Sequence, residues 1–336
     1  MEWFEKSKIR LCFDENGEFR LLCVSDFHAP AERDWDERLI RAEEALLYEA
    51  RPDLMMILGD LTHDGALDTR DRLERYAAAI AGPMEARGIP WAHVPGNHDR
   101  EEGIPTEVFA AYPHCLSVRG PAELPGYGTY LLPVYPSDGG EEPALLLWAF
   151  DSHRGGVWER ECGIPEPVEF RSQTTGFDRG GGVTHRQALW FWETDCRIEE
   201  VFGRRIPGIM LMHSPLAEHR LIPTNPSLTG MTGALEESCG IPSLNAGLFA
   251  AAYERGDILA VVAGHDHINT FAGRYMGIEL SEDGSLGYDV YGSDDLRGGR
   301  LLTFCEPDVR DFTSEHVYLK NCPGAADFLF REGHDD

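Results

Sequence analysis

Short apolar runs alternate with helical patterns through the first third of the chain, and this alternation constrains the fold more than any other feature. Apolar runs at 19–26, 53–60 and 90–97 are separated by helical patterns near 36–50 and 69–87. Strands that alternate with helices in this way predict right-handed crossovers and a parallel sheet covered by helices. Because open α/β sheets collect their ligands at the carboxyl ends of the strands, we expect functional side chains at that edge.

The central part of the chain predicts a second sheet. The segments GTYLLPVY (128–135) and PALLLWAF (143–150) are typical of adjacent strands. Residues 154–183 are rich in Gly, Pro and charge, and we interpret them as a loop insertion near the functional edge. A helix that Thr184 can cap follows, then the strand PGIMLMHS and a helix near 245–255.

The last part of the chain predicts antiparallel strands joined by Gly and Asp turns. From residue 268 onward, the segments that carry this pattern are INTFAGRYMGIEL, GYDVYG, RLLTFCE and EHVYLK. C-terminal strands and an acidic tail, at about 300–336, complete the chain.

The balance of charge excludes some partners. With 58 acidic and 30 basic residues, the formal net charge is -28, so the average surface repels nucleic-acid backbones and anionic lipid headgroups. We therefore expect neither a nucleic-acid coat nor a membrane partner, although bound cations would still attract a small phosphorylated ligand. No apolar run approaches the length of a secretory or transmembrane segment, which predicts a soluble, cytoplasmic protein. The eight cysteines contain no CxxC pair, and we interpret most of them as reduced thiols.

Polar clusters end five of the predicted strands. They are DFH (26–28), GDLTHD (59–64), GNHD (96–99), MHS (212–214) and GHDH (264–267). Each alone has an ordinary explanation, such as a turn, a helix N-cap or a hydrogen-bonded histidine near the core. All five fall at the edge where an α/β sheet binds its ligands, so together they predict one shared site.

The last cluster places two histidines two residues apart. On an extended backbone, His265 and His267 project to the same face, while Asp266 points away. That arrangement suits a shared metal site, and an unrelated pair of surface histidines would look the same. The other clusters favour metal, because Asp and Asn oxygens mixed with imidazole nitrogens, without cysteine, suit Mn, Fe or Zn. Seven such ligands, with one carboxylate able to bridge, are enough for two divalent ions about 3.5–4 Å apart.

The order DxH, GD, GNHD, H and GHxH resembles the pattern of the calcineurin-like metallophosphoesterases. The segments RLLCVSDFH, HRQALWFW, LMHSPLAEH and GHDHINTFAG extend the likeness to the purple-acid-phosphatase-like, Dcr2-type branch. The resemblance implies an α/β fold, a four-layer α/β/β/α sandwich of two mixed sheets flanked by helices. It also implies that residues 1–336 form a single domain.

The same resemblance implies roles for individual residues. The implied ligands are, for the first ion, Asp26, His28, Asp60 and His267, and for the second, Asn97, His213 and His265. The Asp60 carboxylate bridges the two ions, the His98 side chain approaches the substrate, and Asp99 holds the His98 ring. His63 stands where purple acid phosphatases carry the tyrosine that gives their colour, so we expect no purple chromophore.

The implied chemistry is hydrolysis of a phosphate ester, by in-line attack of a hydroxide that bridges the two metals. We interpret the chain as a phosphomonoesterase for a small phosphorylated substrate or a phosphoprotein. A phosphodiesterase for cyclic nucleotides or glycerophosphodiesters would use the same metals. A non-catalytic scaffold would keep the fold for partner binding, and the presence of all seven ligands argues against it.

Loops around the functional edge supply candidate substrate contacts. The candidates are His63, Arg100, His153, Arg154 and Tyr291. Each has an alternative explanation as a solvated loop residue. Arg100 directly follows the GNHD cluster, where a guanidinium could bind phosphate through two hydrogen bonds.

Overall fold

Two β-sheets form the centre of the molecule, and helices cover their outer faces. The computed structural model describes residues 9–29, 37–62, 70–99, 108–153, 181–242 and 244–325. The strands are β1 (Leu11–Cys12), β2 (Glu18–Val24), β3 (Leu54–Ile57), β4 (Trp91–His93), β5 (Tyr130–Tyr135), β6 (Leu145–Phe150), β7 (Gly208–Met212), β8 (Ile258–Ala263), β9 (Ala272–Tyr275), β10 (Ile278–Glu282), β11 (Gly298–Cys305) and β12 (Thr313–Tyr318). The helices are α1 (Glu37–Ala50), α2 (Arg70–Arg87), α3 (His185–Phe202), α4 (Pro226–Thr229) and α5 (Leu248–Arg255), with 3₁₀ turns at His219–Leu221, Glu306–Asp308 and Leu319–Asn321.

The five-stranded sheet, called sheet I, has the strand order β12-β11-β2-β3-β4. Strands β2, β3 and β4 run parallel, and α1 and α2 are the helices that connect them. This arrangement confirms the βαβαβ order predicted for the first third of the chain. Strand β11 joins antiparallel to β2, and β12 joins antiparallel to β11, which confirms two of the predicted C-terminal strands.

The seven-stranded sheet, called sheet II, has the strand order β1-β5-β6-β7-β8-β10-β9. Strands β5 and β6 pair antiparallel, as expected of adjacent strands, and β6, β7 and β8 run parallel. The second sheet predicted from the central segments is therefore confirmed. Strands β7 and β8 also end in two of the predicted polar clusters, MHS and GHDH.

Alternating residues on the strands face two different cores. In β6, Leu145 and Leu147 face the core between the two sheets, while Leu146 and Trp148 face the core beneath α3 and α5. A third core lies between sheet I and helices α1 and α2. The layers therefore follow the order helix, sheet, sheet, helix, which is the four-layer α/β/β/α sandwich that the resemblance implies.

A buried arginine connects the two sheets. Arg300 of β11 is 1% exposed, and its guanidinium donates hydrogen bonds to the backbone carbonyls of Thr270, Phe271 and Glu282. Those carbonyls lie in β10 and in the segment before β9, on the side of sheet II. The hydrogen bonds offset the cost of burying the cation, and they fix one sheet against the other.

One prediction for the last part of the chain is confirmed and one is wrong. Strands β9 and β10 pair antiparallel, as predicted, and β10 also pairs parallel with β8, because the chain forms β9 at the outer edge and returns between β8 and β9. The segment 287–292, GYDVYG, forms no strand. Its backbone serves the ligand loops instead, since Gly287 N–H donates to the Asp26 carbonyl and the Tyr291 carbonyl accepts a hydrogen bond from His267.

Helix α3 begins where the sequence predicts it. The Thr184 hydroxyl accepts the Gln187 backbone N–H, and the Gln187 side chain accepts the Thr184 backbone N–H, which together form a capping box. Of the predicted loop insertion, 154–180 lies outside the described residues, as does the tail at 326–336. Within the described ranges, no helix is both long enough and apolar enough to cross a membrane. The assignment of a single domain stays a prediction.

A buried ion-pair cluster joins α3 to α5. The Arg255 guanidinium donates to the Asp195 carboxylate and, at 2.6 Å, to Glu199. Arg255 is 5% exposed and Asp195 is 1% exposed. Because both groups are taken out of water, loss of the cation would leave a buried carboxylate without its positive partner.

Replacement of Arg255 with methionine is expected to lower the free energy of unfolding by about 3–5 kcal/mol, since Asp195 stays buried. Arg204→Met is the matched control, because Arg204 and Glu142 lie 3.6 Å apart with side chains 46% and 59% exposed. Its loss should cost less than about 1 kcal/mol. Urea denaturation followed by circular dichroism measures both values, and equal losses in the two variants would contradict this account.

Candidate metal centre

The predicted ligands meet at one edge of the two sheets, after the carboxyl ends of β2, β3, β4, β7 and β8. In chain order they are Asp26, His28, Asp60, Asn97, His213, His265 and His267. Four of them, Asp26, His28, Asp60 and His265, have positive φ angles of 55°, 40°, 51° and 78°. Residues other than glycine adopt this left-handed backbone infrequently, and strained residues of this kind cluster at functional sites. The loops therefore hold strained conformations that aim these side chains.

Asp26, His28 and His267 form the first group of potential ligands, with one atom of each within 4.8 Å of the others. The Oδ1 atom of Asp26 lies 3.4 Å from His28 Nε2 and 3.2 Å from His267 Nε2. This oxygen is buried and accepts no hydrogen bond from the residues that the structure describes. A buried carboxylate oxygen that faces two imidazole nitrogens in this way suits a bound cation.

Asp60, His213 and His265 form the second group. The Nε2 atom of His213 lies 3.3 Å from Asp60 Oδ2 and 3.3 Å from His265 Nδ1. Asn97 joins this group, because its Oδ1 atom lies 2.9 Å from the same His213 nitrogen. Four donor atoms from four different loops therefore meet at one point.

The Asp60 carboxylate lies between the two groups. Its Oδ2 atom is 3.4 Å from His28 Nε2 in the first group and 3.3 Å from His213 Nε2 in the second. Its Oδ1 atom accepts the His98 backbone N–H at 2.8 Å, which fixes the carboxylate. One oxygen thus faces both groups, and this is the position of a bridging ligand.

The spacing of these atoms fits bound metal ions. Atoms bonded to one ion at about 2.1 Å stand about 3.0–3.4 Å apart in octahedral or tetrahedral geometry. The six donor-atom distances given above run from 2.9 to 3.4 Å. The donors are carboxylate and amide oxygens and imidazole nitrogens, a set that Mn, Fe and Zn accept. The residues present therefore fit two divalent ions.

Backbone carbonyls orient two of the histidines. The Nδ1 atom of His213 donates to the Leu58 carbonyl at 2.7 Å, and Nδ1 of His267 donates to the Tyr291 carbonyl at 2.8 Å. Because a carbonyl only accepts hydrogen bonds, each Nδ1 carries a proton. The lone pair of each Nε2 is then directed at the cluster, as metal coordination requires.

The two carboxylates stay ionised although they are buried. Burial raises the pKa of Asp26, but the charges of His267 and His213 outweigh burial and hold that pKa well below its usual value. Burial also opposes ionisation of Asp60, where His213 and His28 lower the pKa. For His213 itself, burial lowers the pKa, and the charges of Asp60 and Asp26 outweigh it and raise the pKa. Cations that bind here would replace protons held by histidine.

The path of the GHDH cluster differs from the predicted one. Strand β8 ends at Ala263 and His265 has a φ of 78°, so the two histidines do not lie along an extended strand. The left-handed residue turns the chain, which places His265 in the second group and His267 in the first. Asp266 points away from both groups, and its Oδ2 atom accepts the Gly240 N–H.

The two residues after Asn97 have different surroundings. The His98 ring is partly exposed and lies edge-on to the His28 ring, with 5.0 Å between centroids, so it stands at the mouth of the cluster. The Asp99 carboxylate is buried and accepts the N–H groups of Gly96 at 2.8 Å and Leu61 at 3.1 Å. These bonds fasten the GNHD loop to the GD loop. The hold of Asp99 on the His98 ring stays a prediction.

The five predicted substrate contacts have different outcomes in the structure. His63, Arg100 and Arg154 lie outside the described residues. His153 is 4% exposed, and its ring nitrogens lie 3.3 Å from Asp151 Oδ1 and 3.3 Å from Gln187 Oε1, so its predicted substrate contact does not fit this buried environment.

Tyr291 remains a candidate for substrate contact. Its side chain is 57% exposed, and its ring stacks on His267 with centroids 4.1 Å apart and planes at 10°. Its hydroxyl donates to Glu237 at 2.9 Å, which holds the ring at the rim of the cluster. The substrate contact itself stays a prediction.

Sequence reasoning missed two features that shape the centre. The Ser25 hydroxyl and the His265 N–H both donate to Asp26 Oδ2, which turns Oδ1 toward the histidines. A Cβ atom on Gly59 would lie 2.6 Å from the Gly96 nitrogen, and one on Gly96 would collide with Asp60. A serine at a strand end and glycines in turns are too common to indicate such contacts from sequence.

Alanine at Gly96 is expected to weaken metal binding by about tenfold or more, because the added methyl group would displace the Asp60 carboxylate. Gly82→Ala is the matched control, since a Cβ atom there meets nothing within 4 Å and the position lies inside α2. The metal content of each purified variant after dialysis measures the effect. A full complement of metal in Gly96→Ala would show that the close contact does not position Asp60.

Comparison with known proteins gives a family and several relatives. The family model for calcineurin-like phosphoesterases matches residues 19–269. An Arabidopsis thaliana protein named probable inactive purple acid phosphatase 14 is 29% identical over 322 residues, which cover 86% of this chain and 75% of the plant protein. The phosphatase DCR2 of Saccharomyces cerevisiae is 24% identical over 233 residues, or 66% of this chain and 37% of the yeast protein.

A solved structure agrees with this comparison at the level of fold. A dimetal phosphatase from Danio rerio matches with a TM-score of 0.54 and 14% identity, and the match covers 89% of this chain and 99% of the zebrafish chain. The range matched by the family model, 19–269, contains all seven predicted ligands. The chain therefore belongs to the calcineurin-like phosphoesterase family and has purple-acid-phosphatase-like relatives.

Proposed function

We propose that this protein is a metal-dependent phosphomonoesterase. The observation that supports this most strongly is the position of Asp60 Oδ2, which faces one histidine of each ligand group at 3.4 and 3.3 Å. A carboxylate oxygen in this position suits a pair of ions, and paired ions about 3.5–4 Å apart serve in-line displacement at phosphorus.

Two ions of Mn, Fe or Zn would occupy the two groups. The first would be held by Asp26, His28, Asp60 and His267, and the second by Asp60, Asn97, His213 and His265. When bound, such ions lower the pKa of water and neutralise charge on the phosphoryl oxygens. The chain contributes pre-organisation, because the carboxylates and imidazoles are already fixed by backbone donors and carbonyls before substrate arrives.

The partly exposed His98 ring would face the substrate. From the mouth of the cluster, its ring would donate a hydrogen bond to the phosphoryl group or to the departing ester oxygen. A proton delivered to that oxygen prevents the build-up of negative charge on the leaving group. The backbone N–H of His98 donates to the Asp60 carboxylate. This hydrogen bond couples the position of the proton donor, His98, to that of the bridging carboxylate.

The plant relative bears the words probable inactive in its name. Those words describe the plant protein, and the ligands of this chain support activity. Two carboxylates, one amide and four imidazoles converge here with distances that suit two metals. A protein kept only as a scaffold would not need to maintain positive φ angles at four of these residues.

The substrate that we propose is a small phosphorylated molecule or a phosphoprotein, in the cytoplasm. A formal net charge of -28 disfavours a polyanion such as nucleic acid. The cysteines within the described part of the chain are free thiols, which suits a reducing compartment. The exposed Tyr291 ring beside the metal ligands offers a flat surface for the organic part of an ester.

Replacement of His98 with alanine is expected to lower kcat by about 10²–10⁴-fold while the metal content stays unchanged, because the residue acts as a proton donor and not as a ligand. His185→Ala is the matched control, since His185 is exposed at the start of α3. Hydrolysis rates and metal content are measured on the same preparations. Full turnover in the alanine variant would remove His98 from the mechanism.

The choice between ester classes has its own test. The protein should hydrolyse para-nitrophenyl phosphate with a kcat/KM about tenfold or more above that for bis-para-nitrophenyl phosphate, a difference of about 1.4 kcal/mol. Removal of metal with a chelator should abolish both activities, and Mn, Fe or Zn should restore them. Faster cleavage of the diester would indicate a phosphodiesterase. Absence of both metal binding and hydrolysis would indicate a scaffold.

A further inference from the structure

Three further side chains with potential ligand atoms meet in the protein interior beside the metal centre. They are Cys239, Asp266 and Glu282, and one atom of each lies within 4.8 Å of the others. These residues are 8%, 4% and 0% exposed. None of them belongs to the seven ligands described above, and a sulfur atom distinguishes this cluster from the metal centre.

Each carboxylate of this cluster is held in place through one oxygen. Asp266 Oδ2 accepts the Gly240 N–H at 2.8 Å, and Glu282 Oε2 accepts the Asn269 side-chain amide at 2.9 Å. The second Glu282 oxygen, Oε1, is buried and accepts no hydrogen bond from any described residue. The Asp26 carboxylate shows the same pattern at the metal centre, with one oxygen fixed by donors and the other buried without a hydrogen-bond donor.

In their ionised forms, these buried acids need a compensating positive charge. Two carboxyl groups and a thiol within 4.8 Å of one another repel each other when ionised. The chain carries 58 acids against 30 bases, so cations from the solvent are attracted to it. A single divalent cation would neutralise the two carboxylates and satisfy Glu282 Oε1 at the same time.

The donor atoms indicate which cation fits. Magnesium and calcium prefer sites made of oxygen alone, whereas zinc accepts a thiolate together with carboxylates. Three protein ligands leave the fourth tetrahedral position to a water molecule.

We propose that Cys239, Asp266 and Glu282 form a third metal site, which binds zinc. Asp266 lies between two ligands of the metal centre, His265 and His267. A Cβ atom on Gly240 would lie 2.6 Å from His265 Nε2, so the segment Cys239–Gly240 packs directly against that ring. The zinc ion fastens this segment to the GHDH cluster and to the end of β10, and it thereby positions both histidines.

The number of bound metal ions per chain distinguishes a third bound zinc ion from two carboxyl groups that share protons. Apoprotein reloaded with excess Zn²⁺ and then desalted should retain about three equivalents per chain, against about two in Cys239→Ser. Glu282→Gln provides a second variant, with the same expected loss, in case the cysteine variant does not fold. Two equivalents in the wild type would overturn the proposal and would indicate that the acids share protons.

Cobalt supplies a spectroscopic test of the same site. A thiolate bound to Co²⁺ gives a charge-transfer absorption in the near ultraviolet, and the predicted ligands of the metal centre contain no sulfur. The band should appear in the wild type and vanish in Cys239→Ser. It should remain in the control Cys322→Ser, whose buried thiol contacts the Tyr318 carbonyl. A band that survives in Cys239→Ser would overturn the proposal, because another thiol would then be the ligand.

Discussion

The close approach of the GD and GNHD loops is the constraint on which the metal centre depends. Gly59 and Gly96 let the two backbones meet at a distance that no side chain would permit. The Asp99 carboxylate then fastens the loops through backbone N–H groups on both sides, and the His98 N–H holds Asp60. The position of Asp60 between the two ligand groups therefore follows from backbone packing. The surrounding cores must supply the free energy that the strained loops cost.

Sequence periodicity was sufficient for the elements of sheet I that lie early in the chain. The buried strands are continuous apolar runs, whereas the helices have apolar residues at a spacing of three or four. The turns between them are short. The same reasoning predicted the antiparallel β9–β10 pair but not its order beside β8, because such a hairpin is compatible with either of two positions there. Strand order depends on which sheet edge is still free to pair when the hairpin joins it, and local sequence does not record this.

The site was predictable as far as residue types at strand ends allow. Carboxylates, an amide and imidazoles at five such ends predicted convergence, and the family resemblance supplied their division into two groups. What could not be predicted was the partner of each polar side chain. Asp99 accepts backbone N–H groups and His153 lies between Asp151 and Gln187. The predicted contacts were the His98 ring for Asp99 and the substrate for His153. A polar residue that supports a loop and one that faces solvent obey the same local rules.

Each ligand group takes atoms from both sheets. Asp26 and His28 follow a strand of sheet I while His267 follows a strand of sheet II, and Asp60 and His213 divide in the same way. An ion that binds only when the two sheets are packed together stabilises that packing by its binding free energy. When metal is scarce, the contact between the two sheets would be the first to open. The supply of metal in the surroundings would then govern how long the protein survives, and not only how fast it works.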